Sequence, residues 1–480
     1  MNLLAVDIGT SRIKAACFDE TGTMTHLHSL RLNRAASPET QSAEEWFTAA
    51  AGLLRELAAE LTAAPDGVVL TGNMHALLGV DASGEPVAPA VLWSDHSAAQ
   101  EADELNARFG DELLRRCGNR AIPVFTLPKI MHLKKTHPEL YRRSATFMQS
   151  KDFIAFRLTG RRITDPTDAS GVLAMDLQSG KWASDLLREL DLDADKLPEI
   201  LPSASLCGTV SAAGAAATGL PQGTPVITGC GDLASAALGS GVNDRTLSLT
   251  LGTAGQLLGT GAPEDRGRIA GRLFVFAHAD PARDLYLGSV PSGGFSFEWF
   301  ASLHNLSMPD FFRLAASAPL SEHLPVFLPY ILGRGAPSMD YTPCGAWLGL
   351  SAEHTLPEIC RAAVFGALCP LRQCADLLEK TAGPRSELVL QALACRESVV
   401  RESACALFGQ ETFLPENSEA SLLGAAMTGF TALHRYADLN AAASAMFRRS
   451  RCSSPCGRET AGKLFSRFLE AAGELPGIRA

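Results

Sequence analysis

One acidic residue, Asp232, stands between a predicted strand and a predicted helix near the middle of the chain. An apolar run at 225–228 precedes it, an Ala-rich run follows it, and Gly229 and Gly231 permit a sharp turn between the two. Open α/β sheets place their chemistry at the carboxyl ends of strands. Asp232 is therefore a candidate general base. It is also a candidate helix cap, and the two roles are compatible.

A second candidate site lies near the N-terminus, where a short apolar run leads into Asp7 and a small polar turn. In this turn Gly9 permits a close approach of the backbone, Thr10 and Ser11 add hydroxyls, and Arg12 adds positive charge. Backbone N–H groups and hydroxyls in such a turn can bind phosphate oxygens. Asp7 could hold Mg²⁺ through water, because hard cations prefer oxygen ligands. The alternative is a plain β-hairpin with a polar tip.

The same pattern of strand, Gly-Thr turn and strand recurs at residues 247–259, without the leading acid. Gly252, Thr253 and Gly255 occupy this second turn. We interpret the recurrence as an internal duplication of one hairpin-bearing domain. The interpretation places a domain boundary near Gly241 and predicts an N-terminal domain at 1–241 and a C-terminal domain at 242–480.

Two further groups of polar residues follow predicted strands. Met74 and His75 come after the buried run at 67–70, and Trp93 and Asp95 end the next run. A lone histidine is more often structural than functional, so these residues alone do not define a site.

Composition narrows the classes of function. The chain has 480 residues, 46% hydrophobic and 20% charged, which indicates two or three globular domains. The net charge of −10 argues against a nucleic-acid partner. The 12 cysteines are scattered and form no Cys-x-x-Cys pair, so we expect neither a zinc site nor a disulfide framework.

The N-terminal segment reaches Asp7 too soon for a signal peptide, and no apolar run approaches the ~18 residues of a membrane span. We therefore expect a cytoplasmic protein with no membrane partner. A homodimer remains open.

In this order and spacing, the motifs resemble those of the FGGY family of carbohydrate kinases, within the actin/hexokinase/sugar-kinase superfamily, from Leu3 to about Phe430. The motifs that match are Asp7-Ile8-Gly9-Thr10-Ser11 and Leu251-Gly252-Thr253-Ala254-Gly255 for the two phosphate motifs, Gly231-Asp232 for the catalytic base, and Ser421-Leu422-Leu423-Gly424-Ala425-Ala426 for the adenosine motif. The resemblance implies an α/β protein with the two-domain actin/hexokinase-like fold, a duplicated ribonuclease H-like fold with a cleft between its lobes.

Within the family the chain is most similar to xylulokinases. Gly72-Asn73-Met74-His75 resembles their Gly-Gln-Met-His, and Leu92-Trp93-Ser94-Asp95 resembles their Leu-Trp-Asn-Asp. The resemblance implies ATP-dependent phosphorylation of a small sugar, a ketopentose such as D-xylulose. Gluconate kinases share the Met-His region, so a kinase for another polyol or a sugar acid stays an alternative.

The resemblance also implies the roles of the residues. Asp232 acts as general base, Asp7 holds Mg²⁺, and the sugar is bound by Asp232 together with Met74, His75, Trp93 and Asp95. ATP is bound by the two hairpin turns and the adenosine motif, through Gly9, Thr10, Ser11, Arg12, Gly252, Thr253, Gly255 and Gly424.

The sequence departs from the family at three places. Leu233 replaces a polar Asn next to the base, and Ser97 stands where many members carry Arg. Ala392-Leu393-Ala394 replaces a Gly-Gly-Gly turn beside the nucleotide, so we expect the backbone to follow a different path and ATP to bind weakly. The last departure leaves a sugar-binding pseudokinase as a second alternative.

Overall fold

The structure is a computed structural model that describes residues 1–33, 37–392, 396–452 and 457–474. It divides into two compact units. The first comprises Met1–Gly241 and two later segments, Phe276–Asp284 and Glu419–Phe447, and the second comprises the remainder. The predicted domains 1–241 and 242–480 stay a prediction. The compact units share the division at Gly241 but assign the two later segments to the first unit.

The described residues form strands β1 (Leu3–Ile8), β2 (Arg12–Phe18), β3 (Met24–Arg31), β4 (Thr40–Gln41), β5 (Gly67–Gly72), β6 (Leu78–Val80), β7 (Ala90–Val91), β8 (Thr146–Met148), β9 (Ile163–Thr164), β10 (Met175–Asp176), β11 (Lys181–Trp182), β12 (Glu199–Ile200), β13 (Leu206–Thr209), β14 (Pro225–Gly231), β15 (Thr246–Leu251), β16 (Gly255–Gly261), β17 (Phe274–Ala277), β18 (Asp284–Val290), β19 (Val326–Leu328), β20 (Ala346–Leu348), β21 (Glu387–Ala392), β22 (Glu411–Pro415) and β23 (Arg449–Arg451). The α-helices that lie wholly within the described residues are α1 (Ala43–Glu60), α2 (Ala99–Cys117), α3 (Thr126–Thr136), α4 (Pro138–Arg143), α5 (Ser150–Thr159), α6 (Pro166–Val172), α7 (Ser184–Glu189), α8 (Ala212–Thr218), α9 (Asp232–Gly239), α10 (Arg266–Ile269), α11 (Phe295–Leu303), α12 (Met308–Ser317), α13 (Leu356–Ala382), α14 (Ser398–Phe408), α15 (Ala420–Ala432), α16 (Leu439–Met446) and α17 (Arg458–Glu474). None of the described helices is both long and apolar enough to cross a membrane.

The first unit is built on a six-stranded mixed sheet with the order β13-β14-β5-β1-β2-β3. Its centre, β1, pairs antiparallel with β2 and parallel with β5. Alternate residues of a strand face opposite sides. Leu4 and Val6 accordingly share a buried core with Trp46 of α1, whereas Leu3 lies against Gly429 of α15. Both faces of the sheet are covered, which explains why β1 is apolar almost throughout.

The second unit repeats this topology in a seven-stranded sheet of order β17-β18-β16-β15-β21-β22-β23. Here β15 pairs antiparallel with β16 and parallel with β21, as β1 pairs with β2 and β5. Next, β21 pairs parallel with β22, as β5 pairs with β14. The last pair, β22 and β23, is antiparallel, as β14 and β13 are. The duplication predicted from the two hairpins is therefore confirmed by the strand order.

Helices α9 and α15 cross in the first unit at unusually close range. A Cβ placed on Gly239 would lie 1.9 Å from the Ala420 carbonyl oxygen, and a Cβ on Gly424 would lie 1.8 Å from the Ser235 carbonyl oxygen. Both glycines are buried. The backbones can touch only because neither position carries a side chain.

We predict that Gly239→Ala lowers the free energy of unfolding by ~1–3 kcal/mol, the usual cost of overpacking a buried contact. The matched control is Gly52→Ala within α1, where a Cβ would meet nothing within 4 Å. That change should raise stability by ~0.5–1 kcal/mol, because alanine is the better helix former. Urea denaturation measures the change in the free energy of unfolding for both variants. Changes of the same sign in the two variants would contradict the packing argument.

Candidate active site

Three parallel strands end side by side in the first unit. Ile8 of β1 is in register with Gly72 of β5, and Gly72 is in register with Gly231 of β14. Asp7 lies one residue before the end of β1, and Asp232 directly follows β14. The two predicted catalytic acids thus come from the strands on either side of β5, at the edge where open α/β sheets bind ligands.

A backbone irregularity near the end of β14 precedes Asp232. The β14–β5 register shifts between Ile227 and Cys230, and Gly229 in the shift has φ 71°. A Cβ at Gly229 would lie 1.7 Å from the Leu70 carbonyl oxygen. Only glycine fits both the positive φ and the contact.

Asp232 is the first residue of α9, and its side chain does not cap the helix. The cap position is Gly231, and no side-chain capping hydrogen bond forms there. The cap interpretation of Asp232 is therefore wrong, because the turn places the cap one residue earlier. Its carboxylate receives a hydrogen bond from the Leu233 backbone N–H.

Burial shifts the proton affinity of both acids. It raises the pKa of Asp232 to about 6, although the Leu233 N–H opposes the shift. Burial, and next the neighbouring charge of Asp232, raise the pKa of Asp7 to about 7. A charged carboxylate loses hydration when it is buried, and a nearby like charge adds to that cost. A base whose pKa lies near neutrality suits proton transfer.

A cation and a further acid stand beside Asp7. Lys14 is directly opposite Asp7 in the β1–β2 register, and its Nζ lies 2.5 Å from Glu419 Oε2. The Lys14 charge lowers the pKa of Asp7, and the Glu419 charge raises it. Glu419 immediately precedes α15, far along the chain from Asp7. No local motif of the sequence indicated this neighbour.

The carboxylate of Asp7 is suited to a hard cation that also binds phosphate. Asp7 Oδ1 is buried and has no hydrogen-bond partner among the described residues. Within those same ranges of the chain, no group of three or more His, Cys, Asp or Glu side chains is placed to hold a metal by itself. Mg²⁺ commonly keeps several waters and binds one or two carboxylates together with substrate phosphates. Asp7 meets that requirement without a full protein cage.

The first hairpin turn offers backbone and polar groups. A Cβ on Gly9 would lie 2.7 Å from the Arg12 carbonyl oxygen, so the turn is tight because residue 9 is glycine. Thr10 is half-buried, and Ser11 and Arg12 are exposed. Arg12 Nη1 donates to Ser29 Oγ at 3.4 Å. Phosphate binding by Gly9, Thr10, Ser11 and Arg12 stays a prediction.

Met74 and His75 are packed against α6. A Cβ on Gly171 would lie 3.0 Å from both Met74 Cε and His75 Nδ1. His75 has φ 66°, and its Nδ1 lies 2.9 Å from the Gly171 carbonyl oxygen. A carbonyl only accepts, so Nδ1 carries the proton and Nε2 is an acceptor. Burial lowers the pKa of His75 to about 4, so the ring is neutral at pH 7.

Aromatic rings enclose the imidazole of His75. The Phe125 ring stands edge-on at a centroid distance of 5.2 Å, and the Phe276 ring is tilted at 5.8 Å. Phe276 belongs to the 276–284 segment that is assigned to the first unit, and the Ala277 N–H in the same segment donates to Ser170 Oγ at 3.1 Å. Phe276 was not among the predicted site residues, because only the tertiary fold brings this distant segment to His75.

Lys129 links the Met-His segment to the segment that contains Trp93 and Asp95. Its Nζ donates to the His75 carbonyl at 2.9 Å and to the Leu92 carbonyl at 2.7 Å. Burial lowers the pKa of Lys129 to about 7, and the Asp95 charge opposes the shift. Lys129 is 2% exposed. It was not among the predicted site residues.

Asp95 and Trp93 differ in environment. Asp95 is buried, and its Oδ1 accepts hydrogen bonds from the backbone N–H and the hydroxyl of Ser97. Ser97 stands where many members of the family carry Arg, and it forms a local contact with Asp95. Trp93 is 46% exposed. Sugar binding by these two residues stays a prediction.

In the second unit, the hairpin turn at Gly252 and Thr253 is held by the following loop. Gly294 N–H donates to the Gly252 carbonyl at 2.7 Å, and Phe295 N–H donates to the Thr253 carbonyl at 2.9 Å. Thr253 remains exposed. Gly255 is buried, and a Cβ there would lie 3.0 Å from Leu371 Cδ1, which is a packing reason for glycine. Nucleotide binding by this turn stays a prediction.

The substituted nucleotide turn is described only in part. Ala392 ends β21 with φ 54°, a conformation that glycine adopts far more readily than alanine. Leu393 and Ala394 lie outside the described residues. Gly424, the predicted adenosine residue, is buried in the α9–α15 contact described above. Its role in binding stays a prediction.

Two family models and several known proteins are similar to this chain. The model of the N-terminal domain of the FGGY family of carbohydrate kinases matches residues 2–239, and the C-terminal domain model matches residues 286–433. The xylulose kinase of Lactococcus lactis subsp. lactis (strain IL1403) is 31% identical over 391 residues, which cover 79% of this chain and 77% of that protein. The gluconokinase of Bacillus subtilis (strain 168) is 25% identical over 459 residues, which cover 90% and 87%.

Among solved structures, xylulose kinase from Rhodospirillum rubrum is similar with a TM-score of 0.90 and 25% identity, covering 100% of this chain and 99% of that chain. The expected two-domain α/β fold is thus confirmed. The chain belongs to the FGGY family of carbohydrate kinases. It is a xylulokinase-like carbohydrate kinase, and the kinases of this family use ATP.

The raised pKa of Asp232 predicts a pH-dependent stability. Near pH 2, well below the ordinary aspartate pKa of 3.8, the carboxyl is protonated in both the folded and the unfolded chain, so Asp232→Asn and the wild type should be equally stable. Above pH 7 the wild type buries a charge that the variant lacks, and the variant should be more stable by about 1–3 kcal/mol. Denaturation at several pH values measures the difference. Asp111→Asn, at a side chain 97% exposed, is the control and should show no such trend. A difference that shrinks with rising pH would contradict the burial argument.

Proposed function

We propose that this chain transfers the terminal phosphoryl group of ATP to a hydroxyl of a neutral sugar, a ketopentose such as D-xylulose, with Asp232 as general base. The observation that carries the proposal is Asp232 itself. Its carboxylate stands at the carboxyl end of β14, with burial raising its pKa to about 6. Near pH 7 most of this group is ionised and can take a proton, yet it is more basic than an ordinary aspartate.

The residues divide the work of phosphoryl transfer in the usual way, by positioning and charge neutralisation. Asp232 accepts the proton of the attacking hydroxyl. Asp7 would hold Mg²⁺, and the bound metal supplies positive charge against the phosphate oxygens. Asp7 Oδ1, buried and without a hydrogen-bond partner in the described parts of the chain, supports this assignment.

The surroundings of His75 favour a neutral sugar over a sugar acid. The neutral ring can accept a hydrogen bond from a sugar hydroxyl through Nε2, but it offers no charge to a carboxylate. The nearby amine of Lys129 is buried and already donates to two backbone carbonyls. The L. lactis relative named above as a xylulose kinase agrees with this preference. Because this chain is also similar to the B. subtilis gluconokinase, a sugar acid is the second candidate substrate.

We predict that Asp232→Asn lowers kcat by ~10²–10⁴-fold, the usual contribution of a general base, while the protein stays folded. Coupled ADP release with D-xylulose measures turnover, with Asp111→Asn as the exposed control. D-gluconate should be a poor substrate for the wild type. Full activity of Asp232→Asn would remove Asp232 from the chemistry, and a preference for D-gluconate would favour the sugar-acid alternative.

The turn at Ala392 leads us to propose weak nucleotide binding. An alanine at positive φ costs roughly 1–2 kcal/mol relative to glycine. We predict that Ala392→Gly raises the free energy of unfolding by ~1 kcal/mol and tightens ATP binding by up to ~10-fold, since ~1.4 kcal/mol is a factor of ten. Calorimetric titration with Mg²⁺-ATP measures the affinity.

The matched control for Ala392→Gly is His434→Gly, which replaces another non-glycine residue at positive φ, 58°, just beyond α15. It should gain stability without a change in ATP affinity. Equal ATP affinity in Ala392→Gly and the wild type would show that the turn does not limit nucleotide binding. The absence of any ATP binding, with D-xylulose binding intact, would favour the pseudokinase.

A further inference from the structure

A buried ion-pair cluster lies behind the turn that presents Asp232. Lys151 Nζ is 2.7 Å from Asp152 Oδ1, 3.0 Å from Asp165 Oδ1 and 3.1 Å from Asp168 Oδ2. The four side chains are at most 1% exposed. Breaking up a buried charge cluster is costly, so its members are held in fixed positions. None of the four was among the predicted site residues.

Asp165 connects this cluster to two neighbouring hydroxyls through hydrogen bonds. Its Oδ2 accepts from Thr167 Oγ1 at 2.7 Å and from Ser203 Oγ at 2.7 Å. A carboxylate paired with Lys151 only accepts, so both hydroxyls must donate to it. The orientation of the Thr167 hydroxyl is thereby fixed, and its lone pairs remain for another donor.

The donor that meets Thr167 Oγ1 is the backbone N–H of Gly231, at 2.8 Å. Gly231 is the residue directly before Asp232. Two residues earlier, the Gly229 N–H donates to the Ser203 carbonyl at 3.0 Å. The irregular end of β14 is therefore tied at two points. One contact depends on the Thr167 side chain, and the other depends only on the Ser203 backbone.

We infer that Thr167, oriented by the Lys151–Asp165 pair, is a positioning residue that fixes the peptide before Asp232 and so aims its carboxylate at the sugar hydroxyl. This inference rests on the proposed role of Asp232 as general base. A misplacement of ~1 Å in a catalytic group can cost ~10²-fold in rate. Loss of the acceptor for the Gly231 N–H should therefore lower kcat far more than it changes the KM for the sugar.

Two variants of the full chain separate positioning from a purely structural role. Thr167→Val keeps the shape of the side chain but removes both its hydrogen bond to Asp165 and the acceptor for the Gly231 N–H. Ser203→Ala also removes one hydrogen bond to Asp165 Oδ2 but leaves its own carbonyl bonded to Gly229 N–H. Both residues are buried, so the variants lose the same support at Asp165 and differ in the contact to the Gly231 peptide.

Steady-state ADP release with D-xylulose, together with thermal unfolding, is measured for both variants, Thr167→Ser and Asp232→Asn. We expect kcat of Thr167→Val to fall ~10–100-fold with the sugar KM within ~2-fold, kcat of Ser203→Ala to stay within ~2-fold, and Thr167→Ser to recover most of the rate. Should Thr167→Val not fold, Thr167→Ala lacks the same acceptor and carries the same expectation.

Equal kcat in Thr167→Val and Ser203→Ala, with Asp232→Asn inactive, would overturn the positioning role alone. Failure of Thr167→Ser to restore the rate would also overturn it. Full turnover by Asp232→Asn would overturn the proposed general base, and the positioning role with it. The two failures are therefore distinguishable in one set of measurements.

Discussion

The partial burial of two carboxylates at the ends of parallel strands is the constraint on which the rest of the site depends. Asp7 and Asp232 lose hydration there, and each has a raised pKa. Such groups oppose folding above neutral pH and must be held by the surrounding sheet and helices. The same loss of hydration makes Asp232 a better base than an exposed aspartate. Burial at these positions therefore lowers the stability of the fold while it favours the proposed function.

Close backbone contacts at glycines hold the strands and helices around these two carboxylates. Gly229 is required where β14 touches the Leu70 carbonyl, and Gly239 and Gly424 are required where α9 meets α15. These close backbone contacts place α9, which begins with Asp232, against the helix that follows Glu419. The second unit repeats the strand order without the leading acid.

Much of the fold and the principal acids could be predicted from the sequence, because they rest on local patterns. The hairpin around Gly9 and its echo around Gly252 predicted the duplication, and the glycines around Asp232 predicted a turn at a strand end. The surroundings could not be predicted in this way. Phe276, Glu419 and Asp165 reach their partners only through tertiary structure, and nothing in their local sequence indicates those partners. The cap assignment of Asp232 failed by one residue, which is within the usual uncertainty of helix ends.

The most direct test of the central claim is the pH dependence of kcat/KM for D-xylulose at saturating Mg²⁺-ATP. If Asp232 is the buried base, activity should rise with pH and reach half of its maximum near the Asp232 pKa, which burial raises to about 6. Mutation of Asp232 to Glu should shift that midpoint, because the longer side chain changes the burial of the carboxylate. A rate that stays constant down to about pH 4, the range of an ordinary aspartate, would contradict the account.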